Sequence, residues 1–516
     1  MTAPLATSRY TLRVPVTEGY ALFNTSTGSV MRFDGPQAEE ATALLSGNRR
    51  LVAPDSFGER LTARLRRNGF LVDPEFDEVA EVRERYWTAR GSAPAVLLVT
   101  TTMDCNLGCY YCYESRSSDA LRVDDTDMLV ALAAQRLGDH RKSLHVDWYG
   151  GEPLMNLDAL ERGSIALQEY CRERGIAYHA SVVSNGTRWP EDPASFVGRH
   201  RIREVQITFD GMKDNHDRRR RYRQGYRRED DHSSFERAAD LVDVLVRHTR
   251  VDVRFNADHG NADDLAPFIR FATARGWFDG PFRCVLAVAR VSGYSDRSAF
   301  LRPHELDTEE FSALEETARN MLPPGARDTQ DIVGGFPHPK TSVCGALAEG
   351  SAVVGADGLE YRCGLQVGER HRAVGRLRAL PTGTLPPAAL PGKALPLAVL
   401  PPAQAGAEPK PEPEPEPESF PDRSWWAEFD PTRVPSCSRC SFLPVCWGGC
   451  PKRHLDGHQV YLDAESLFWR RNLPRMITEG LGEPADGFEF TEADQFRDDI
   501  PAGSAAGAPG CGPRRR

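Results

Sequence analysis

The chain has 516 residues, which is long for one compact domain and predicts two or three. Hydrophobic residues make up 40% and charged residues 27%, so the sequence can form cores and is not disordered throughout. With 64 basic and 74 acidic side chains the net charge is −10, which argues against a general nucleic-acid binder. No apolar run approaches the roughly 20 residues that cross a membrane, and no signal-peptide pattern opens the chain, so we expect a cytoplasmic protein.

Residues 1–90 predict a small α+β module, because short strand-like stretches precede two helical patterns. A module of this size suits two roles equally: binding a peptide along an edge strand, or packing against the rest of the chain. The predicted strands are 10–16, 19–24 and 30–33, and the predicted helices are 36–45 and 56–68.

Residues 95–310 alternate six strand patterns with stretches long enough for helices. Repeated strand–helix units form parallel sheets, and six of them predict an α/β fold with an incomplete (β/α)6, TIM-like barrel. The active site of such a barrel lies at the carboxyl ends of its strands. The predicted strands are 95–101, 144–148, 178–183, 204–209, 251–257 and 282–289.

Beyond the predicted barrel, residues 381–421 contain 13 of the 38 prolines, so we expect an extended surface insertion with no core of its own. This insertion interrupts a cysteine-rich region predicted at 335–475. Residues 476–516 are predicted to be a C-terminal tail, which ends in a stretch rich in glycine and alanine.

Nine of the 12 cysteines fall into spaced clusters or pairs, and without an export signal they predict metal ligation rather than disulfides. The other three, Cys171, Cys284 and Cys511, are expected to be buried or inert thiols.

The first cluster, Cys105, Cys109 and Cys112, follows the first barrel strand with the spacing C-x3-C-x2-C, and Tyr111 precedes its last cysteine. Structural zinc normally takes four ligands, whereas three thiolates suit a four-iron cluster with one iron open to a cofactor. This motif resembles the signature of the radical S-adenosylmethionine (SAM) enzymes. The resemblance implies a [4Fe–4S] cluster on the three cysteines, SAM on the open iron, and reductive cleavage of SAM to a 5′-deoxyadenosyl radical.

Polar motifs at the ends of later strands support the resemblance. After the second strand it implies contacts of the SAM amino group with Gly150, Gly151, Glu152 and Pro153. After the third strand it implies contacts of the ribose with Ser184 and Asn185. After the fourth it implies contacts of the SAM carboxylate with Arg219 and Arg220, for which surface charge is the alternative interpretation.

A second cysteine set lies downstream and includes a C-x2-C-x5-C-x3-C run. Four such cysteines alone would suit a zinc knuckle. Together with two earlier cysteines and the radical SAM motif, they resemble the SPASM extension, which holds two auxiliary iron–sulfur clusters. The resemblance implies Cys344, Cys363 and Cys450 for the nearer cluster and Cys437, Cys440 and Cys446 for the farther one.

The match to SPASM is incomplete, because the family pattern has two further cysteines that this chain lacks. Asp463 aligns best with the second of them and is therefore a candidate carboxylate ligand to iron. The alternative is that Asp463 caps a helix that begins at Ala464.

The layout of leading module, radical core and SPASM region resembles maturases of ribosomally made peptides (RiPPs). It implies an oxidoreductase that abstracts hydrogen from a precursor peptide to form a cross-link or another oxidative modification. It also implies a low-potential electron donor of the flavodoxin or ferredoxin type, and we expect no membrane or nucleic-acid partner. The alternatives are formylglycine formation, as in anaerobic sulfatase maturases, and a non-catalytic iron–sulfur carrier or peptide-binding scaffold. Gly364 stands where sulfatase maturases have an aspartate, which disfavours the first alternative.

Overall fold

The structure is a computed structural model, and it describes residues 4–35, 38–46, 50–53, 56–228, 233–293, 296–327, 332–333, 335–378, 420–484 and 487–497. The predicted proline-rich insertion, apart from residues 420 and 421, lies outside the described residues, and so do residues 498–516 of the predicted tail. Within these ranges, no helix is both long enough and apolar enough to cross a membrane.

Strands occur along the whole described chain. In chain order they are β1 (Leu5–Thr7), β2 (Thr11–Val16), β3 (Gly19–Asn24), β4 (Val30–Phe33), β5 (Leu51–Val52), β6 (Leu71–Val72), β7 (Ala95–Thr102), β8 (Ser143–Gly150), β9 (Ala177–Ser184), β10 (Ile202–Phe209), β11 (Arg250–Ala257), β12 (Cys284–Arg290), β13 (Ile332–Val333), β14 (Phe336–Pro337), β15 (Ser351–Val354), β16 (Leu359–Tyr361) and β17 (Gly375–Arg376).

The α-helices lie between and after these strands. They are α1 (Ala38–Leu45), α2 (Glu59–Arg67), α3 (Glu78–Ser92), α4 (Thr126–Leu137), α5 (Leu157–Glu173), α6 (Pro193–Arg199), α7 (Lys213–Arg219), α8 (Ser234–Leu245), α9 (Leu265–Ala274), α10 (Thr308–Met321), α11 (Asp422–Glu428), α12 (Pro435–Ser438), α13 (Leu443–Cys446), α14 (Pro451–Asp456), α15 (Gln459–Gly480) and α16 (Glu492–Gln495).

The chain divides into two compact units, and neither is continuous in sequence. One contains residues 1–93, 329–349 and 425–516, and the other contains residues 94–328 and 350–424. The predicted cysteine-rich region at 335–475 therefore contributes residues to both units. The consecutive domain boundaries of the sequence analysis stay a prediction.

The second unit contains a nine-stranded sheet in the order β12-β11-β10-β9-β8-β7-β15-β16-β17. From β7 to β12 every neighbouring pair is parallel, and helices lie between the strands in sequence. This is the partial (β/α)6 barrel that the strand and helix alternation predicts, so that prediction is confirmed. Parallel strands in this arrangement place all their carboxyl ends at one edge, and the loop of residues 103–118 leaves β7 at that edge.

Strand β8 shows why these segments form the barrel. Its side chains alternate: Leu144, Val146 and Trp148 are fully buried in the hydrophobic core, and the residues between them face the other side of the sheet. Helix α5 packs close to this core at Gly163, where an added Cβ would lie 2.9 Å from the Trp148 ring.

The first unit combines the N-terminal strands with the C-terminal helices. Strands β2, β3 and β4 form one antiparallel sheet, and β1 pairs between β5 and β6 in another. Leu12, Val14 and Phe23 from the first sheet share a hydrophobic core with Trp469 and Leu473 of α15. The N-terminal module thus belongs to the same unit as most of the second cysteine set, and it packs against α15.

Trp148 gives a test of this core. Replacing it with alanine removes a fully buried indole, so we expect Trp148→Ala to lower the free energy of unfolding by about 3–5 kcal/mol. Ile165→Ala, on α5 but 46% exposed, should change it by about 0.5 kcal/mol or less. Urea unfolding followed by circular dichroism measures both, and equal midpoints for the two variants would contradict the packing described.

Candidate functional site

Cys105, Cys109 and Cys112 lie in the loop of residues 103–118, at the carboxyl end of β7. Burial raises the pKa of all three thiols, for Cys112 to about 12, and the charge of neighbouring thiols contributes for Cys105 and Cys112. The three cysteines share one short loop, and each is partly buried. A bound cation would lower the pKa of these thiols instead, because metals bind the thiolate. In the described ranges, no three His, Cys, Asp or Glu side chains are arranged as ligands of one metal ion.

Backbone contacts with the end of β8 hold the base of this loop. The Gly151 and Glu152 amides donate to the carbonyls of Thr102 and Asp104, each at 2.9 Å. The two glycines are required here, because Gly150 has φ of 136° and a Cβ on Gly151 would lie 2.7 Å from the carbonyl carbon of Asp104.

Glu152 is fully buried and joins β8 to the end of β9. Its carboxylate accepts hydrogen bonds from the Asn185 amide at 2.7 Å and from Ser184 Oγ at 2.9 Å. Burial raises the pKa of Glu152 to about 7, and these donors oppose the rise. Pro153 follows at the start of a short 3-10 helix and is buried. The predicted residues at the ends of these two strands are thus brought together.

Asn185 connects this network to the cysteine loop. Its Nδ2 lies 3.6 Å from Cys105 Sγ and donates to Asn106 Oδ1 at 2.9 Å. Asn106 is fully buried and donates in turn to Thr187 Oγ1 at 2.9 Å. The sequence analysis gave no role to Asn106, although this residue lies inside the cysteine motif.

Arg219 is buried between two carboxylates. Its Nη1 and Nη2 each donate to Asp258 at 2.8 Å, and its Nε donates to Asp210 at 3.2 Å. Asp258 also accepts a hydrogen bond from Tyr110. Since this guanidinium is paired at three nitrogens, the structure gives it an internal role that neither sequence interpretation included.

Tyr111 and Arg220 form the neighbouring part of the network. Tyr111 donates to Asp210 Oδ1 at 2.7 Å and accepts from Arg220 Nη1 at 2.6 Å. Arg220 is 7% exposed, and no described residue provides a hydrogen-bond partner for its buried Nε. Arg220 is therefore not the surface charge that the alternative interpretation required.

The segment after α7 also makes hydrogen bonds to the cysteine loop. Arg223 Nη1 donates to Asp104 Oδ1 at 2.7 Å, and Tyr226 donates to Asp104 Oδ2 at 2.5 Å. The backbone amide of Gly108 donates to Arg221 at 2.8 Å. Arg221 and Arg223 thus help to hold the cysteine loop in position.

The second cysteine set is divided between the two units, with Cys363 in one and the other five in the other. Cys344 is exposed, and Cys450 immediately precedes α14. Burial raises the pKa of Cys437 to about 12, of Cys440 to about 11, and of Cys446 well above its ordinary value. The backbone amide of Cys440 donates to the carbonyl of Cys437 at 3.0 Å, and Cys446 ends α13 a few residues later, so the three cysteines belong to one compact segment.

Asp463 lies inside α15, which begins at Gln459, and it accepts a hydrogen bond from the Gln459 side chain at 2.7 Å. The interpretation of Asp463 as a helix N-cap is therefore wrong, because the helix starts four residues earlier, after His458. Its role as an iron ligand stays a prediction, although the side chain belongs to an exposed residue.

Comparison with known proteins gives the class of this site. Residues 99–253 match the family model of the Radical SAM superfamily. No curated protein matches the chain.

Among solved structures, one similar structure is native anSMEcpe with bound AdoMet and Cp18Cys peptide. It is 18% identical with a TM-score of 0.51, and the match covers 75% of this chain and 99% of that one. Streptococcus suis SuiB bound to its precursor peptide SuiA is 13% identical with a TM-score of 0.44, covering 88% and 97%.

The chain therefore contains a radical SAM domain, and the resemblance predicted from the cysteine motif is confirmed. The cofactors of this superfamily are a [4Fe–4S] cluster and SAM, as predicted. The likeness to anSMEcpe shows a shared fold.

The buried carboxyl of Glu152 predicts a pH dependence of the iron-free protein. Its pKa is about 7 when folded and 4.5 ordinarily, so its contribution to stability is present below about pH 4.5 and is lost as the pH rises through 7. As the pH rises through this range, we expect ionisation of Glu152 to lower the free energy of unfolding by up to about 3 kcal/mol. Glu114, with its pKa also raised by burial to about 7, adds a slope of the same sign.

Glu152→Gln should remove its part of that slope while keeping side-chain shape, and urea unfolding from about pH 5 to 8 measures it. Asp139→Asn, at an exposed position, serves as the control and should keep the full slope. A Glu152→Gln protein with an unchanged slope would show that this carboxyl titrates normally.

Proposed function

We propose that this chain is a radical SAM/SPASM peptide maturase. It would abstract a hydrogen atom from a residue of a precursor peptide. A proton would then leave and an auxiliary cluster would take up the second electron as a cross-link or another oxidative modification forms. The observation that carries the proposal is that Cys105, Cys109 and Cys112 share the loop after β7, whose base is fixed against Gly151 and Glu152, within the part of the chain that matches the radical SAM family.

In this proposal the three thiolates hold the [4Fe–4S] cluster, which with bound SAM supplies a 5′-deoxyadenosyl radical. Both oxygens of Glu152 already accept hydrogen bonds from the end of β9. We assign the SAM amino group to Gly150–Pro153, where the Glu152 carboxylate, held in place by these hydrogen bonds, can accept from it. Ser184 and Asn185 keep their proposed place beside the ribose.

Of the two candidate arginines, Arg220 is the better partner for the SAM carboxylate. Arg219 already makes three hydrogen bonds to carboxylates, and Arg220 has a buried Nε with no described partner. An unpaired buried donor is costly, and a ligand oxygen would satisfy it.

The peptide substrate is supported by the fold alone. The structure of anSMEcpe, which shares this fold, contains both AdoMet and a peptide. The cysteines of the second set would hold one or two auxiliary clusters, and a flavodoxin- or ferredoxin-type donor would supply electrons. Gly364 after Cys363, in place of an aspartate, continues to favour peptide cross-linking over formylglycine formation. Retention of all three cysteines of the radical SAM motif argues against a non-catalytic carrier or scaffold.

Residues 1–90 are proposed to recognise the precursor peptide. Because residues 1–93 belong to the same compact unit as residues 425–516, peptide binding should be measured on the full chain.

The proposed activity predicts two products from the anaerobically reconstituted chain. With dithionite and SAM we expect 5′-deoxyadenosine, and with the precursor encoded nearby we expect a peptide lighter by two hydrogens. Cys109→Ala should abolish both, because the cluster loses a ligand. Cys171→Ala, a buried cysteine outside the clusters, should keep both.

Chromatography of the nucleoside and mass spectrometry of the peptide make the measurement. 5′-Deoxyadenosine with an unmodified peptide would remove the maturase assignment and keep the radical SAM chemistry. Absence of 5′-deoxyadenosine would remove both.

A further inference from the structure

The farther auxiliary cluster of the proposed function has three cysteines and lacks a fourth ligand, and helix α15 passes beside them. The sequence alone points to Asp463 on this helix. Residues two apart on an α-helix are rotated by about 200°, so Asp463 and Glu465 point to opposite sides. Asp463 is exposed and bonded to Gln459, whereas the Glu465 carboxylate lies against Gly449, between Cys446 and Cys450.

Close contacts fix the position of Glu465. A Cβ added to Gly449, in the loop between Cys446 and Cys450, would lie 2.6 Å from Glu465 Oε2. Only a glycine lets the carboxylate approach the backbone of this loop so closely, and the positive φ of Gly449, 72°, agrees with that requirement.

The neighbouring glycine places a thiol at the same loop. A Cβ added to Gly448 would lie 3.6 Å from Cys437 Sγ. The Glu465 carboxylate and the Cys437 thiol therefore both lie against the backbone of Gly448 and Gly449.

Among the described residues, none makes a short hydrogen bond to the Glu465 carboxylate. Its ion pair with Arg453 Nη1 measures 3.8 Å, which is longer than a hydrogen bond, and its side chain is 30% exposed. The carboxylate can therefore turn toward an iron without breaking a short hydrogen bond to Arg453.

We infer that Glu465, rather than Asp463, completes the ligand set of Cys437, Cys440 and Cys446. This assignment rests on the proposed function, because it presupposes a cluster at those cysteines. A carboxylate oxygen is a harder ligand than a thiolate, so the iron it binds should be the most exchangeable one of the cluster.

The test uses the full chain with Cys105, Cys109 and Cys112 replaced by alanine, reconstituted anaerobically, so that only auxiliary clusters remain. Iron content and Mössbauer and electron paramagnetic resonance (EPR) spectra are recorded for three variants. Glu465→Ala should lose iron from the farther cluster and give a three-iron EPR signal after mild oxidation. Glu465→Cys should restore the iron and shift the spectrum toward all-thiolate ligation. Asp463→Ala is the matched control on the same helix and should leave iron and spectra unchanged.

Two other results overturn the assignment in different ways. If Cys437→Ala lowers the iron content and Glu465→Ala does not, the cluster exists and Glu465 is not its ligand. If Cys437→Ala also leaves the iron content unchanged, no cluster is bound there, and both this assignment and the auxiliary-cluster part of the proposed function fail. Far-UV circular dichroism of each variant separates ligand loss from unfolding.

Discussion

The candidate site depends on one close backbone contact, between Gly150–Gly151 at the end of β8 and residues 102–104 at the end of β7. A side chain at either glycine would collide with the backbone of those residues. The contact fixes the base of a loop that otherwise lies outside helices and strands. Three cysteines separated by three and two residues can face one cluster only if that loop has a single conformation, so the geometry of the proposed cluster follows from the glycines.

Buried charge supplies the second support of the loop. Arg219 and Arg220 share Asp210, and Tyr111 from the cysteine loop bonds to both Asp210 and Arg220. Burying charges costs desolvation energy, so such a network adds little net stability, but removing one member leaves the others unpaired. The network therefore determines where its side chains lie rather than how stable the protein is. It holds Tyr111, and with it the last cysteine of the motif, relative to β10 and β11.

The sequence predicts the barrel strands to within two residues at each end, because alternating or continuous burial leaves a strong pattern in β7–β12. It misses α3, although Asp77 caps that helix by accepting from the amides of Val79 and Ala80. The addition of β15 to the edge of the barrel also escapes prediction, because it pairs residues some 250 positions apart in sequence. Cysteine spacing identifies the candidate ligands, whereas the partners of Glu152 and Arg219 and the choice between Asp463 and Glu465 depend on directions that only the folded chain defines.

In the proposed function, the cluster on Cys105, Cys109 and Cys112 has one iron open to SAM. The most direct measurement is the EPR spectrum of the dithionite-reduced cluster, in a chain whose second cysteine set has been replaced by alanine, before and after addition of SAM. Direct binding of SAM to the open iron predicts a clear change in the g values. A spectrum that SAM leaves unchanged, or reconstituted protein that carries zinc and no iron at these cysteines, would contradict the account.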